Sequence, residues 1–366
     1  MKQTMLTPNY LKEFSCIGGA CEDSCCTGFS IPIEKTTYEK YKEIEEEGFK
    51  EKIQSSVTLN TNSTSPFTYA SLNAKCGCPF QNENGLCSLQ MSYGENMLSG
   101  ACSKYPKQIN AFEKQLERSA TLSCPEIARL VLLKKEGLSF EQSEQEIDAR
   151  DVVTRNLTKD MAPMVVYFED LRIFSLSVLQ DRTMDIQTRL LILQSFCFEM
   201  KDLVIKQKEE EIPSLIEQYL TQENTLKLEE MEINAGNIIQ QIMKIREASP
   251  FNVRYEMTFN QMIDGLTTNF NAVYGEEFLN NHEYMLENYL VNYVFKHLFP
   301  FSYGADVYQA FQMLSLHAAL IQLHLLGVGS YLREMNEAIA VRVIQSFTKE
   351  AEHSSVYLDT LFSYQF

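Results

Sequence analysis

The first half of this sequence contains no histidine. All five histidines lie in the second half, at His282, His297, His317, His324 and His353. The chain also lacks a Cys-x-x-Cys pair and the GxSxG, HExxH and P-loop motifs. The first two absences argue against a mixed Cys/His zinc site near the cysteines. The others mean that the bare residues name no reaction.

Long apolar runs are also missing. The opening stretch MKQTMLTPNYLKEF does not read as a secretory signal, and no segment approaches the roughly 18 consecutive apolar residues of a membrane span. We therefore expect a cytoplasmic protein that does not insert into membranes. Disulfides are rare in that compartment, so clustered cysteines more often bind metal or do redox chemistry.

Basic residues are scarce, and the formal net charge is -17. This balance argues against a nucleic-acid binder, which needs a basic face. Residues 1–150 carry 16 Lys+Arg and 20 Asp+Glu, whereas residues 151–366 carry 16 and 29. An acidic second half would attract a basic partner. The alternative is that the charge only keeps the protein soluble.

What is present is an uneven concentration of cysteine. Nine of the ten cysteines fall between Cys16 and Cys124, and only Cys197 lies outside. An Asn-Glu-Asn-Gly turn separates Cys78 from Cys87, which predicts a ligand pair on adjacent short segments. Thiolates are soft ligands, so the spacing favours an all-thiolate site, either a four-iron cluster or a zinc ion. The surplus cysteines would form a second site, a redox pair or small buried hydrophobic contacts.

Hydrophobic periodicity predicts a mainly α protein in two parts. Residues 1–137 are expected to form an irregular cysteine-rich, metal-binding domain, with a strand pair over 109–123 and a short helix over 126–135. Residues 138–160 are charged and predict a linker or an exposed helix. Residues 161–366 show helical periodicity almost throughout and predict an all-α domain.

Two weaker signals lie in the second half. His317 and His324 are seven residues apart on one predicted helix, about 10.5 Å along its axis, so one metal ion does not easily take both. Buried polar histidines are the favoured reading. Gly327 and Gly329 form a GxG, but it follows a helical run and lacks a third glycine, so it is a poor nucleotide loop.

The cysteine order then resembles a known family. The runs FSCIGGACEDSCCTGF, CPF…NGLCSLQ, GE..LS..C..YP and SCPE.AR resemble the flagellin lysine-N-methylase family. LENYLVNYVF, continuing to LFPF, resembles that family's second signature. The first half is also similar to a wider group of putative zinc- or iron-chelating domains.

The resemblance implies methylation of surface lysines on flagellin, with S-adenosylmethionine as the methyl donor. It also implies an iron–sulfur cluster of the 4Fe-4S type in the cysteine region, with zinc as the alternative. The ligand role carries over to Cys16, Cys21, Cys25, Cys26, Cys78, Cys87 and Cys102. Cys76 and Cys124 are additional candidates. The resemblance does not locate the donor site.

Three residues of the second signature have chemistry suited to lysine methylation: Glu287, Tyr289 and Tyr293. The attacking amine must lose a proton, and aromatic walls hold a methylated ammonium. The competing interpretation is a packed core helix in which Asn288 and Asn292 make buried contacts.

Two other functions remain open from the sequence. The chain would be a non-catalytic zinc- or iron-binding interaction module if the cysteines only stabilise the first domain. It would be a thiol redox protein if Cys25 and Cys26 change oxidation state without metal, although adjacent cysteines are a poor substitute for Cys-x-x-Cys.

Overall fold

The structure is a computed structural model that describes residues 2–61, 66–74, 77–148, 150–221, 235–268, 270–302, 306–354 and 356–365. These residues form eight β-strands: β1 Lys2–Pro8, β2 Phe29–Ile33, β3 Val57–Leu59, β4 Ala70–Ala74, β5 Lys107–Phe112, β6 Gln115–Ala120, β7 Phe140–Glu146 and β8 Val153–Leu157.

The same residues form fifteen α-helices. Five lie in the first part: α1 Lys35–Lys42, α2 Glu47–Ser56, α3 Ser88–Tyr93, α4 Gly100–Lys104 and α5 Pro125–Leu132. Ten follow: α6 Phe168–Leu179, α7 Ile186–Ile205, α8 Ile212–Thr221, α9 Ala235–Ala248, α10 Val253–Thr267, α11 Val273–Asn281, α12 Glu283–Lys296, α13 Val307–Leu332, α14 Glu337–Ala351 and α15 Tyr357–Gln365. The mainly α prediction is confirmed, and the described part of 161–366 contains helices and no strand.

The first part is not irregular, because it contains two sheets. Strands β5 and β6 pair antiparallel, which confirms the predicted strand pair, and α5 confirms the short helix after it. The larger sheet has the order β7-β1-β6-β5-β8. β1 runs parallel to β6, and β8 runs parallel to β5.

The prediction of a linker or exposed helix over 138–160 is wrong for the residues that form β7 and β8. β7 pairs antiparallel with β1 along its whole length, from Lys2 opposite Glu146 to Pro8 opposite Phe140. Both strands are edges of the sheet, so their outer side chains stay polar and reach water. The charged composition therefore reflected an edge position and not a helix.

The smaller sheet has the order β2-β4-β3, and it carries a core of its own. Ile33, Tyr41, Phe49, Leu72 and Phe80 form this small core together with side chains of α3. The charged stretch over residues 34–53 forms α1 and most of α2, and its spaced apolar side chains face this core.

The larger core joins the five-stranded sheet to the helices. Helix α12 lies at its centre, and every residue from Met285 to Lys296 is buried. Tyr10, which follows β1, donates to Asn292 Oδ1 at 2.7 Å, and its hydroxyl accepts from the Ala120 amide at 3.1 Å. Helix α13 is long and apolar enough to cross a membrane by length and composition alone, and 67% of its apolar 18-residue window is buried inside the protein.

The glycines of the GxG are explained by helix packing. Both lie inside α13. A Cβ added to Gly265 of α10 would stand 1.8 Å from the carbonyl oxygen of Gly327. The two backbones can approach this closely only because neither residue has a side chain.

Candidate functional site

Five cysteine thiols line one cavity, which we call the thiol cavity: Cys25, Cys26, Cys78, Cys87 and Cys102. Its volume is about 230 Å³. Side chains of the small core, including Leu72, Phe80 and Leu89, form an apolar wall. Tyr105 and His353, which come from the direction of the larger core, complete the lining. The thiol cavity therefore lies where the two cores meet.

The second half of the chain fixes the loop that carries Cys25 and Cys26. Lys349 of α14 is almost fully buried, and its Nζ donates to the Ser24 carbonyl oxygen at 2.9 Å and to Asp23 Oδ1 at 2.9 Å. Gln345, one turn earlier, donates to Asp23 Oδ2 at 2.8 Å. A buried cation with satisfied partners is a strong local anchor.

The predicted turn between Cys78 and Cys87 is confirmed. Asn82 Oδ1 accepts hydrogen bonds from the backbone amides of Asn84 at 3.0 Å and Leu86 at 2.9 Å. Gly85 has a φ of 74°, which glycine adopts without strain. Asparagine and glycine thus close the turn and bring both flanking thiols to the same cavity.

The thiols interact directly with one another. Cys25 is hydrogen-bonded to Cys26, which together with burial raises the pKa of Cys25. The same bond lowers the pKa of Cys26, but its bond to Cys78, burial and the nearby thiols outweigh this and raise the pKa to about 12. The hydrogen bond from Cys26 lowers the pKa of Cys78. Several thiols held this close cannot all ionise unless positive charge is added.

The seven cysteines carried over from the resemblance divide into two groups. Cys16 and Cys21 do not line the thiol cavity. They lie near Cys124 instead, where their charges act with burial to raise the pKa of Cys124 to about 11. Cys76 lies outside the described residues, and Cys197 is buried within α7.

In the part of the chain that the structure describes, no group of three His, Cys, Asp or Glu side chains is close enough to hold a metal ion. The nine described cysteines are all free thiols. The five thiols thus line one cavity from separate positions and do not meet at a single point.

A hydrogen-bonded chain leads from the thiol cavity into the larger core. Ser123 Oγ is its branching point, lying 3.0 Å from the Tyr105 hydroxyl, 3.0 Å from His353 Nε2 and 3.0 Å from Thr121 Oγ1. Thr121 Oγ1 in turn donates to Glu352 Oε2 at 2.6 Å. Neighbouring polar side chains in a buried chain of this kind strengthen one another.

The chain ends at a buried ion pair between Glu352 and Lys296. Their side chains are 8% and 3% exposed. Burial alone raises the pKa of Glu352, but the charge of Lys296 and the nearby His297 lower it well below its usual value. Burial lowers the pKa of Lys296, and Glu352 opposes that effect. Each partner therefore favours the charged form of the other, against the effect of burial.

The histidines around this chain are neutral. Burial lowers the pKa of His353 to about 4 and that of His317 to about 4. Burial, followed by the charge of Lys296, lowers the pKa of His297 to about 3. His353 therefore adds no positive charge to the wall of the thiol cavity at pH 7.

Comparison with known proteins places the second half of the chain in a protein family. A family model described as the FliB lysine N-methylase C-terminal domain matches residues 172–364. The chain belongs to this family. The expected flagellin lysine-N-methylase resemblance is thereby confirmed. The matched region contains α7–α14 whole, and it includes Lys296, His297, Glu352 and His353.

Individual relatives match over a smaller region. The lysine-N-methylase of Salmonella choleraesuis (strain SC-B67) is 30% identical over 39% of this chain and 36% of its own length. The lysine-N-methylase of Salmonella typhimurium (strain LT2) gives the same figures. The flagellar biosynthetic protein FliU of Salmonella muenchen is 30% identical over 39% of this chain and 86% of its own length. The match thus spans about a third of the two lysine-N-methylases. No solved structure matches the chain significantly.

The family's second signature forms α12, and its three candidate catalytic residues lie in the larger core. Glu287 is 1% exposed and pairs with Arg189 at 2.8 Å and Arg182 at 2.8 Å. The Tyr289 hydroxyl lies 2.6 Å from His317 Nδ1. The Tyr293 ring lies 4.3 Å from the ring of His297. None of the three lines the thiol cavity.

The competing interpretation of this helix is confirmed in its contacts. Asn288 donates to the carbonyl oxygens of Val131 at 2.9 Å and Lys134 at 2.8 Å, and Asn292 donates to that of Ala120 at 3.2 Å. The helix thus holds α5 and the sheet in place. The catalytic assignment of Glu287, Tyr289 and Tyr293 stays a prediction.

The reading of His317 and His324 as buried polar side chains is also confirmed. His317 is 1% exposed and His324 is 0% exposed. His324 Nδ1 donates to the Leu320 carbonyl oxygen at 2.7 Å, and its Nε2 lies 3.0 Å from the Tyr255 hydroxyl.

Sequence reasoning missed the buried Lys296–Glu352 pair and the role of Ser123. Each charged residue lies at the end of a helix, where lysine and glutamate are ordinarily exposed. Their separation of 56 positions gives no periodic signal. Only Ser123 had a usable clue, because it is the first residue of the SCPE motif that the resemblance singled out.

Proposed function

We propose that this protein is a protein-lysine N-methyltransferase that uses S-adenosylmethionine, takes flagellin as its substrate and holds an iron–sulfur cluster in the thiol cavity. The observation that carries the proposal is the convergence of five thiols on one cavity in a chain of the FliB lysine N-methylase family. The relative named as a flagellar biosynthetic protein supports a flagellar substrate.

The donor set fits the proposed cluster. Five soft ligands surround one cavity, and Cys25, Cys26, Cys78, Cys87 and Cys102 are the residues that would hold it. Each thiolate of a four-iron cluster binds a different iron, so its ligands surround a space and do not meet at one point. When bound by these thiolates, the cluster would supply a redox-active group with a cationic iron–sulfide core.

The chain's own residues suit the amine of a lysine. In methyl transfer an N–C bond forms, the S–C bond of the sulfonium breaks and one proton leaves the amine. The apolar wall of Leu72, Phe80 and Leu89 favours the neutral amine over the ammonium. Neutral His353 does not repel an arriving lysine ammonium. Its Nε2 is hydrogen-bonded to Ser123 Oγ, so the proton that leaves the amine would meet a hydrogen-bonded pair of polar side chains.

Charge and compartment agree with the proposed substrate. Residues 151–366 have 29 acidic and 16 basic side chains, so their field attracts a lysine-bearing surface. The proposal places the protein in the cytoplasm, where free thiols persist and flagellin is present before export.

The test is an anaerobic methyl-transfer assay. Purified protein is mixed with flagellin and S-adenosylmethionine labelled on its methyl group. We expect label on flagellin lysines and a brown protein with broad visible absorption. An intact cluster with unlabelled flagellin contradicts the proposed reaction. A colourless protein that contains zinc and transfers no methyl group supports the alternative, a non-catalytic metal-binding interaction module.

A further inference from the structure

A second cavity lies beside the end of α12, and we call it the arginine cavity. Its volume is about 350 Å³, within the range of small-molecule sites. Arg155 and Asn156 of β8, together with His297 and Ser302, supply its polar groups. Met161, Val165 and Phe301 form part of an apolar wall. None of the described cysteines lines it.

Two of its polar side chains lack a hydrogen-bond partner among the residues that the structure describes. Both ring nitrogens of His297 and the hydroxyl of Ser302 are buried, and none of these three atoms makes a direct hydrogen bond to a described residue. The nearest carboxylate oxygen to His297 Nε2 is Glu352 Oε1, 4.0 Å away, which is beyond direct bonding distance. An unpaired buried polar group costs free energy, so three such atoms in one cavity indicate a missing partner.

The cavity also carries unbalanced positive charge. Arg155 and Lys296 both act on His297, and Glu352 is the carboxylate that opposes them. Glu352 is already paired with Lys296. Among the described residues, Arg155 has no carboxylate within 4.0 Å; its Nη1 donates to the Ser302 carbonyl oxygen at 2.8 Å. Arginine is rarely buried without a charged partner, and this protein has a net charge of -17, so carboxylates are abundant. A partly buried Arg155 without a carboxylate partner is therefore unusual.

The backbone at this point is strained as well. Leu298 lines the cavity and has a φ of 55°, a conformation that costs a leucine free energy. Such residues persist where the surrounding structure enforces them, often at ligand sites. His297, Leu298 and Ser302 all line this cavity.

We propose that the arginine cavity binds the amino-acid head group of a small molecule. Arg155 would bind the carboxylate, the Ser302 hydroxyl and an unprotonated nitrogen of His297 would accept from the ammonium, and Met161, Val165 and Phe301 would contact the apolar remainder. Two sources share this chemistry: the methionine end of the methyl donor, which rests on the proposed function, and a free amino acid, which does not.

Calorimetric titration with three probes tests this site. S-adenosylhomocysteine has the head group on a nucleoside body, L-methionine has the head group alone, and 5′-methylthioadenosine has the body without the carboxylate. We expect at least one of the first two to bind and the third not to bind. Binding of S-adenosylhomocysteine alone identifies the donor as the source, and binding of methionine identifies a free amino acid.

Variants locate the binding. Arg155→Met should weaken it about 10- to 100-fold, because a charge-assisted hydrogen bond is lost. Arg155→Lys keeps the charge and should weaken it less. Lys159→Met removes an exposed cation two residues past β8 and should leave it unchanged. If Arg155→Met fails to fold, Arg155→Lys and the comparison of the three probes still decide.

The proposal is overturned if neither head-group probe binds, if 5′-methylthioadenosine binds as tightly as S-adenosylhomocysteine, or if Arg155→Met leaves the affinity unchanged. The titration involves no methyl transfer. If the protein labels flagellin but binds neither head-group probe, this site is refuted and the proposed function stands. If it binds a head-group probe but does not label flagellin, the site stands and the proposed function is refuted.

Discussion

The thiol cavity and the arginine cavity differ in how their polar groups are satisfied. In the thiol cavity, Cys26 is hydrogen-bonded to both Cys25 and Cys78, and Lys349 anchors the loop that carries Cys25 and Cys26. In the arginine cavity, the His297 ring nitrogens and the Ser302 hydroxyl have no hydrogen-bond partner among the described residues. The first site is assembled around a group of identical soft donors, whereas the second is built for a ligand with both charge and apolar surface.

The two cavities are also connected. Ser123, Thr121 and Glu352 lead from the wall of the thiol cavity towards His297, with only the 4.0 Å gap before His297 exceeding hydrogen-bond length. The thiol cavity draws on the first half of the chain and on His353, whereas the arginine cavity draws on the matched family region and on residues between 155 and 165. The comparison therefore predicts that changes in one cavity leave ligand binding in the other intact. Changes in the buried chain of Ser123, Thr121 and Glu352 should affect both.

The largest expected effect is on the thiol cavity alone. Replacing Cys78 or Cys102 by serine should abolish iron binding and methyl transfer, because a hydroxyl is a poor ligand for iron in a cluster. Iron content and visible absorption after anaerobic purification measure it. Cys197→Ala is the matched control, since Cys197 is buried in α7 away from the cavity. Equal iron loss in the control would contradict a site at these thiols.

The next effect concerns the shared framework. Glu352→Gln leaves the Lys296 ammonium buried without its counter-charge, which should lower the free energy of unfolding by about 3–5 kcal/mol. Urea denaturation measures the loss. The control is Lys12→Met, which breaks an exposed pair with Glu141 and should cost about 0–1 kcal/mol. Similar losses in both variants would show that the buried pair is not structural.

Acid should weaken both cavities together. His353 and His297 have pKa values of about 4 and about 3, below the unfolded value of 6.5, and His317 and His324 have values of about 4. The unfolded chain therefore binds protons first as the pH falls. Stability is complete above pH 6.5 and is lost as the pH falls from there towards 4, by up to about 1.4 kcal/mol per histidine and pH unit.

Denaturation in urea at pH 7.5, 6 and 5 measures this slope. His317→Gln removes one titrating group, so it should lower the slope of unfolding free energy against pH by up to about 1.4 kcal/mol per pH unit. This effect on the slope is independent of any change in stability at pH 7.5. A free energy of unfolding that does not change between pH 7.5 and 5 would mean that these histidines titrate normally in the folded protein.

The smallest expected effect is the difference in stability between removing a hydroxyl that makes hydrogen bonds and removing one that makes none. Ser302→Ala removes an unpaired buried hydroxyl and should change the free energy of unfolding by less than about 0.5 kcal/mol, or increase it. Ser123→Ala removes the branching point of three hydrogen bonds and should cost about 1–3 kcal/mol. Both are serine-to-alanine changes, so denaturation compares them directly. A larger cost at Ser302 would reverse the comparison.

The sequence by itself determined the helical second half, the strand pair before α5 and the turn that joins Cys78 to Cys87. These features depend on periodicity and on local turn chemistry, which neighbouring residues specify. It also placed Cys25, Cys26, Cys78, Cys87 and Cys102 in one candidate set, because their concentration is visible without coordinates.

Only the tertiary structure decided which thiols share a cavity. It separated Cys16 and Cys21 from the others, and it turned residues near 140 and 155 into sheet edges, because strand pairing with β1 and β5 is long-range. It also paired Lys296 with Glu352 and left His297 unpaired. Burial and electrostatic balance depend on every element packed around a side chain, and no local pattern records them.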